Sequence, residues 1–202
     1  SVTPETEMQM GMGLPMTNKL LEVGGMPSFG VDIVSNNSGD MLTQLRLGLQ
    51  MARAIDNQKT IETGKAPDKI TMTVRDALRF GTEGGARAIR KQGEIGRLTK
   101  GLLADIVLFS AQGLHMAPMT DPVGMLLLQS RPGDVELVMV EGRIVKRDGR
   151  LVNVDYAGLT AKLSDAFREI AEHVEGARDK STLSARRWLN TLQRTTGGQG
   201  AA

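Results

Sequence analysis

Two periods in the spacing of apolar residues predict that helices and strands both contribute to this chain. One set of positions recurs every three or four residues: Met41, Leu42, Leu45, Leu49, Ala52 and Ile55. This spacing predicts an amphipathic helix with Ser38 as its N-cap and an end near Asn57. Thr73 and Asp76 have the spacing of a capping box, and a short helix is predicted to follow at about residues 83–91.

The segment at residues 27–33 is a short apolar run that predicts a buried strand leading into a polar turn. Before it, the pattern predicts the end of a strand at residues 1–3, a turn at 4–7 and a short helix at 16–22. Asp32 is therefore expected at the carboxyl end of a strand, which is where parallel α/β folds place their chemistry.

In the middle of the chain the pattern changes to short strands separated by glycine-containing turns. The predicted strands are at residues 102–109, 135–140, 143–146 and 150–152. Hairpin turns are expected at Glu141-Gly142 and at Asp148-Gly149, so this part is predicted to form a small antiparallel sheet. A cap followed by proline predicts a helix at 121–129.

The last part of the chain is helical by pattern. Two helices each carry an apolar set of positions: Leu159, Leu163, Phe167, Ile170, Ala171 and Val174 in the first, and Leu183, Trp188, Leu189 and Leu192 in the second. Basic residues are concentrated here, but Trp188 is the only aromatic among them, which favours a solvated helix face over a nucleic-acid patch. Residues 197–202 are expected to be a disordered tail.

Composition excludes several classes of function. The 202 residues contain no cysteine, which rules out disulfides, thiolate metal sites and cysteine nucleophiles. A net charge of +2 with 24% charged residues gives no electrostatic bias toward nucleic acid. No apolar run approaches the roughly 20 residues that cross a bilayer, and no leader segment opens the chain, so no membrane partner and a cytoplasmic location are expected.

Few residues are candidates for chemistry. His115 and His173 are the only histidines, and neither has a metal-ligand spacing such as His-x-His, which favours ordinary surface or packed roles. Asp32 is the stronger candidate, because a carboxylate at the end of a buried strand needs solvent, a capped turn or a cation beside it. From the residues alone, a structural cap on the turn at 35–38 and a functional role are equally favoured.

Four segments, in this order, carry a resemblance to a known family. They are PSFGVDIVSNNSGD at residues 27–40, ALRFGTEGGARA at 77–88, GEIGRLTKG at 93–101 and ADIVL at 104–108. Together they resemble the C-terminal half of the amidohydrolase superfamily, in its cytosine deaminase and chlorohydrolase-like branch. The resemblance covers most of residues 1–155.

The resemblance implies an α/β fold made of parts of two domains. Residues 1–92 match the C-terminal part of a TIM-like (β/α)₈ barrel, and residues 93–154 match part of a small antiparallel β-sandwich with the helix at 121–129 inserted. Residues 155–196 would be C-terminal helices. In this family the other strands lie upstream of Ser1, so the open edge is expected to be covered by the missing N-terminal half or by self-association.

The resemblance also implies a function. The family ends barrel strand eight with an aspartate that binds the metal and shuttles a proton for the attacking water, and Asp32 matches it. This implies a metal-dependent hydrolase of non-peptide carbon–nitrogen bonds, such as a deaminase, with a small-molecule substrate and a divalent metal, zinc or iron. The family's histidine ligands are absent from this chain, which alone is expected to be inactive and to hold no such metal. The alternative is a non-catalytic binding or assembly domain derived from that fold.

Overall fold

Helices and strands both build this protein, as the spacing of apolar residues predicts. The computed structural model describes residues 1–35, 37–174 and 176. The chain divides into two units, Ser1–Val152 and Asn153–Ala202, and the domain boundary near residue 92 stays a prediction. Among the described residues, no helix combines the length and the apolar character that crossing a membrane requires.

The N-terminal part contains two extended segments that run parallel to each other. Val2 forms a β-bridge with Phe29, flanked by two backbone hydrogen bonds of 2.8 and 3.0 Å. Helices α1 (Pro4–Gln9) and α2 (Thr17–Glu22) connect the two segments, and α2 agrees with the predicted helix. The arrangement is a β-α-β crossover, the unit from which parallel α/β folds are built.

Two details of this part differ from the sequence prediction. The segment at 27–33 pairs through a single bridge within the described chain and then continues as a loop, so it is shorter than the predicted strand. The turn predicted at 4–7 is wrong, because these residues open α1. Pro4 takes the first helical position, and the Glu7 carboxylate accepts a hydrogen bond from the Thr3 N–H (2.8 Å).

Helix α3 (Met41–Ile61) buries Leu42, Leu45, Leu49 and Ala52 of the predicted apolar stripe and extends beyond the predicted end near Asn57, while Met41 is exposed. The predicted N-cap, Ser38, is wrong: Asp40 caps the helix by accepting hydrogen bonds from the N–H (2.8 Å) and hydroxyl (2.6 Å) of Thr43. Burial of Asp40 opposes its charged form, but these hydrogen bonds outweigh burial and lower the pKa of Asp40. The core cluster consists of Val2, Phe29, Leu45, Leu49, Ala77, Phe80 and Leu127.

A continuous helical rod follows, with a π-helical turn in its middle. The capping box predicted for Thr73 and Asp76 is confirmed, since the Asp76 N–H donates to the Thr73 hydroxyl (3.2 Å) and the Thr73 N–H donates to the Asp76 carboxylate (2.7 Å). The separate helix predicted at 83–91 is the end of this rod. Its three parts are α4 (Val74–Arg79), the π turn (Phe80–Gly84) and α5 (Gly85–Ala88).

The rod and α3 enclose Phe29 from two sides. The rings of Phe29 and Phe80 meet edge to face, with centroids 6.2 Å apart. A methyl group on Gly48 of α3 would lie 2.5 Å from the Phe29 ring, and one on Gly84 of the rod would overlap the carbonyl oxygen of Pro27. The extended segment that leads to Asp32 is therefore held in a slot with no spare volume.

A four-stranded antiparallel sheet forms the second half of the first unit, with strand order β1-β2-β3-β4. Both predicted hairpin turns are confirmed: Glu141 and Gly142 have φ of 48° and 79°, and Asp148 and Gly149 have φ of 50° and 73°. The first strand is shorter than the predicted 102–109. The strands are β1 (Ile106–Phe109), β2 (Val135–Val140), β3 (Arg143–Arg147) and β4 (Arg150–Leu151).

Helix α6 (Pro122–Leu128) is attached to α3 through Arg46. Asp121 caps its start, as predicted, by accepting hydrogen bonds from the first-turn N–H groups. At its end the Arg46 guanidinium donates to the carbonyls of Leu127 (3.1 Å) and Ser130 (2.7 Å). These carbonyls lack partners within the helix, and a cation at a helix C-terminus is electrostatically favourable.

The second unit is described as far as one helix at residues 156–174. The apolar face predicted from the sequence is present, and its large side chains are solvent-exposed: Leu159, Leu163, Phe167, Ile170 and Val174. The predicted second helix, its basic residues and the tail at 197–202 lie outside the described residues.

Candidate functional site

Asp32 lies two residues beyond the backbone hydrogen bonds that pair the two parallel segments. Its backbone has φ of 66°, the left-handed region that aspartate tolerates better than most residues do. The side chain is exposed, and within the described chain its carboxylate makes no hydrogen bond or ion pair. The carboxylate therefore projects from the carboxyl end of the parallel pair, without a hydrogen-bond or ion-pair partner among the described residues.

The turn that carries Asp32 is fixed by side chains from two other segments. The buried Thr6 of α1 donates its hydroxyl to the Val31 carbonyl (3.1 Å), and the Asn37 amide donates to the same carbonyl (3.3 Å). Asn37 also donates to the Thr6 hydroxyl and accepts a hydrogen bond from the Gln9 amide (2.9 Å). Thr6, Gln9 and Asn37 thus form one connected hydrogen-bond network at the Val31 carbonyl, which restrains the position of the residue after Val31.

A second set of hydrogen bonds ties the same turn to α1 and α3. The Glu5 carboxylate accepts from the Ser38 hydroxyl (3.1 Å) and from the fully buried amide of Gln44 (2.7 Å). The Gln44 carbonyl in turn accepts from the Glu5 N–H (3.3 Å). Glu5 therefore links the loop after Asp32 to the helix that follows it.

Sequence reasoning missed Thr6, Asn37 and Gln44 as positioning residues. Their partners lie 25 to 39 residues away or across a turn, and no local spacing indicates such contacts. The structural alternative for Asp32, a cap on the turn at 35–38, has no support among the described residues, because Asn37 makes the local hydrogen bonds instead.

The two histidines have ordinary surroundings. His115 Nε2 lies 2.8 Å from a carboxylate oxygen of Asp134, and both side chains are partly buried. The hydrogen bond from His115, together with one from the Arg131 N–H, lowers the pKa of Asp134. His173 is exposed on its helix, with Nδ1 3.1 Å from the Glu169 carbonyl.

No group of three or more His, Asp or Glu residues that could hold a metal ion occurs within residues 1–35, 37–174 and 176. Asp32 fits such an ion by its chemistry, because an exposed carboxylate oxygen is an ordinary ligand of zinc and of iron. A catalytic zinc takes about three protein ligands. The described part of this chain therefore supplies at most one of them at Asp32.

Comparisons with known proteins find a matching family and relatives of this chain. The model of the Amidohydrolase family matches residues 3–145. A 5-methylthioadenosine/S-adenosylhomocysteine deaminase of Syntrophobacter fumaroxidans is 32% identical over 155 residues, which are 75% of this chain and 33% of the relative. The enzyme of the same description from Acetivibrio thermocellus is 27% identical over 172 residues, covering 85% and 37%.

Solved structures show the same relationship. An adenosine deaminase from Xanthomonas campestris with bound zinc superposes with a TM-score of 0.75 at 25% identity, over 84% of this chain and 36% of that one. Atrazine chlorohydrolase from Arthrobacter aurescens in complex with zinc gives a TM-score of 0.66 at 27% identity, over 81% and 34%.

These relatives are hydrolytic enzymes. The two solved structures, of the adenosine deaminase and of the chlorohydrolase, contain zinc. The chain belongs to the amidohydrolase family. The resemblance found in the sequence is therefore confirmed at the level of the family. The chain spans about a third of the length of the relatives it matches.

Proposed function

We propose that this chain is the C-terminal part of a metal-dependent hydrolase that acts on non-peptide carbon–nitrogen bonds, and that the complete protein is a deaminase. In this proposal residues 1–92 contribute the last strands and helices of a (β/α)₈ barrel, and the sheet of β1 to β4 contributes to a small β-sandwich. The relatives named as deaminases support the reaction type, and the zinc-containing structures support the metal.

The observation that carries the proposal is the placement of Asp32. It follows the second of two parallel segments joined by a crossover, and in parallel α/β folds the catalytic groups are found at the carboxyl ends of strands. Its carboxylate is exposed and has no hydrogen-bond or ion-pair partner in the described chain, and its backbone is left-handed, while Thr6 and Asn37 hold the carbonyl of the residue before it. A reactive carboxylate held by a rigid second layer is the arrangement that catalysis needs.

Asp32 would serve both as a metal ligand and as the group that moves a proton. A bound divalent ion, zinc or iron, supplies the Lewis-acid activation of water and substrate. The Asp32 carboxylate would accept the proton of the attacking water and deliver it to the departing amine, which leaves as ammonia. Thr6 and Asn37 would keep the carboxylate on the correct side of the turn.

We expect the isolated 202-residue chain to bind zinc weakly and to release no ammonia from heteroaromatic amines, because one carboxylate cannot replace a complete ligand set. The complete protein should hold about one metal ion per active site and should release ammonia from such amines. Metal content by mass spectrometry and an ammonia-release assay on both forms test the proposal. Tight, stoichiometric zinc in the isolated chain would contradict it, as would a complete protein that has metal but no hydrolase activity.

We also propose that the parallel pair does not remain open in the functional protein. Parallel strands are buried on both faces and paired at both edges, whereas the pair of Val2 and Phe29 is the one parallel bridge in the described residues. The cover would be the N-terminal half of the protein or, without it, a second copy of this chain.

The isolated chain is therefore expected to self-associate at micromolar concentration, while the complete protein covers the edge internally. Sedimentation velocity of both forms over a tenfold concentration range measures this. A monomeric isolated chain that unfolds cooperatively would show that the chain closes its own core, and it would refute the half-barrel proposal.

A further inference from the structure

A fully buried amide joins α3 to α1. Gln44 of α3 has no exposed surface, and both ends of its side chain bind Glu5 of α1, 39 residues away in the chain. Its amide nitrogen donates to the Glu5 carboxylate (2.7 Å), and its carbonyl oxygen accepts from the Glu5 N–H (3.3 Å). An apolar side chain would fill this space without needing partners, whereas a buried amide is unfavourable unless it is hydrogen-bonded. Close packing of the two helices therefore does not account for this pair.

The turn that carries Asp32 is fastened to α1 on both sides. Before Asp32, the Val31 carbonyl accepts from the Thr6 hydroxyl (3.1 Å). After it, the Ser38 hydroxyl donates to the Glu5 carboxylate (3.1 Å), and the oxygen that accepts from Ser38 is the one that accepts from the buried α3 amide. The position of α1 on α3 therefore sets the position of the turn.

We propose that Glu5 and Gln44 are positioning residues for Asp32, and this inference rests on the proposed function. The pair fixes α1 on α3, and α1 holds the turn by its hydrogen bonds on both sides. A group that binds a metal and moves a proton must be held to within about 0.5 Å of its productive position. Removing the outer partners that hold such a group lowers metal affinity or activity by about 10- to 100-fold.

The test reverses the direction of the buried hydrogen bond in the complete protein. Gln44→Glu alone brings two carboxylates together in a buried site, which is unfavourable because like charges repel and one carboxyl must take up a proton. In the double variant Glu5→Gln with Gln44→Glu, the new amide donates to the new carboxylate. The Ser38 hydroxyl can accept from that amide, since a hydroxyl both donates and accepts. The hydrogen bonds of the pair can therefore form again with donor and acceptor exchanged.

Gln44→Glu is expected to lower kcat at saturating zinc, and the affinity for zinc, by about tenfold or more. KM should change much less, because the pair acts on Asp32 and not on the substrate. The double variant should restore most of both losses. Gln44→Met keeps the length of the side chain without its hydrogen bonds and should show a similar loss. It is expected to fold, because Glu5 is only half-buried and keeps its hydrogen bond from Ser38.

A matched control lies near the other end of α3. Asn18 is buried, and its amide donates to the Asp56 carboxylate at the same distance, 2.7 Å. Asp56 is about 18 Å along the helix axis from Gln44, at a rise of about 1.5 Å per residue. Asn18→Asp brings two carboxylates together in the same way, and adding Asp56→Asn reverses that bond. Both control variants should leave kcat and zinc affinity unchanged, although Asn18→Asp should lower the free energy of unfolding.

Three measurements are made on each variant: kcat and KM from ammonia release, the zinc dissociation constant by competition with a chromophoric chelator, and denaturant unfolding. Losses of kcat and zinc affinity that the reversed pair restores, and that the control variants lack, support the proposal. Folded Gln44→Glu and Gln44→Met proteins with unchanged kcat and zinc affinity overturn it. Equal losses in the control variants also overturn it, because the effect would then follow stability alone.

Ammonia release by the unaltered complete protein decides the proposed function separately. An inactive unaltered protein refutes the proposed function and this inference with it. An active protein whose Gln44 variants are equally active refutes this inference alone, so the two failures are distinguishable.

Discussion

Replacing Asp32 by alanine in the complete protein is expected to abolish turnover, by at least about a thousandfold, while the fold is retained. The change removes a metal ligand and the group that moves the proton, whereas the exposed carboxylate makes no contact in the described chain that folding would lose. Asp32→Asn keeps the size of the side chain and its tolerance of the left-handed backbone. It should be nearly as inactive, because an amide cannot accept and return the proton.

The matched control is Asp148→Ala. Asp148 is also an exposed aspartate with a left-handed backbone (φ 50°), but it lies in the hairpin turn between β3 and β4. Both alanine variants therefore carry the same conformational penalty, and only the one at residue 32 should lose activity. Steady-state kinetics, circular dichroism and metal content are compared for the two. An active Asp32→Ala protein, or equal losses in both variants, would show that Asp32 has no catalytic role.

Replacing Gly84 by alanine is expected to destabilise the complete protein by about 1–3 kcal/mol. The added methyl group would overlap the Pro27 carbonyl oxygen and lie 3.3 Å from the Ser28 Cα, and both of these are backbone atoms with little freedom to move. The strain would be relieved only by shifting the rod or the segment that leads to Asp32. We therefore expect activity to fall together with the free energy of unfolding.

Gly85→Ala separates this clash from the intrinsic effect of alanine. Gly85 is the next residue, has a helical backbone (φ −59°, ψ −49°) and has no atom within 4 Å of the added methyl group. It should be neutral or more stable by about 0.5–1 kcal/mol, since alanine is the better helix former. Denaturant unfolding of both variants measures the difference. Equal stabilities would mean that the rod does not pack closely on the extended segment.

Local sequence signals predicted the starts of helices and the turns of the sheet. The pair Thr73 and Asp76 and the cap at Asp121 act within three residues of themselves, so their hydrogen bonds form in any context in which the helix forms. The Glu141-Gly142 turn is similarly local, because its backbone angles suit glycine and few other residues. The predicted positions of these caps and turns agree with the structure to within a few residues.

Signals that depend on distant partners were less reliable. Ser38 and Asp40 are both good capping residues. In the structure the Asp40 carboxylate accepts from the Thr43 N–H, while the Ser38 hydroxyl donates to Glu5, 33 residues away in the chain. The sequence pattern predicts two separate helices where the structure has one rod from Val74 to Ala88. The π turn that joins the two parts has no clear local sequence signature.

The sequence by itself determined the family, most of the helices and strands and Asp32 as the candidate residue, because apolar periods, caps and short matching segments are properties of neighbouring residues. Only the tertiary structure decided the backbone conformation of Asp32 and the hydrogen bonds that hold its turn. Its backbone is left-handed (φ 66°), and the turn is held by Thr6, which lies 25 residues from Val31 in the chain, and by Asn37 across the turn. Contacts of this kind depend on the packing of α1 and α3 around the parallel pair, and packing is a property of the whole fold rather than of any segment.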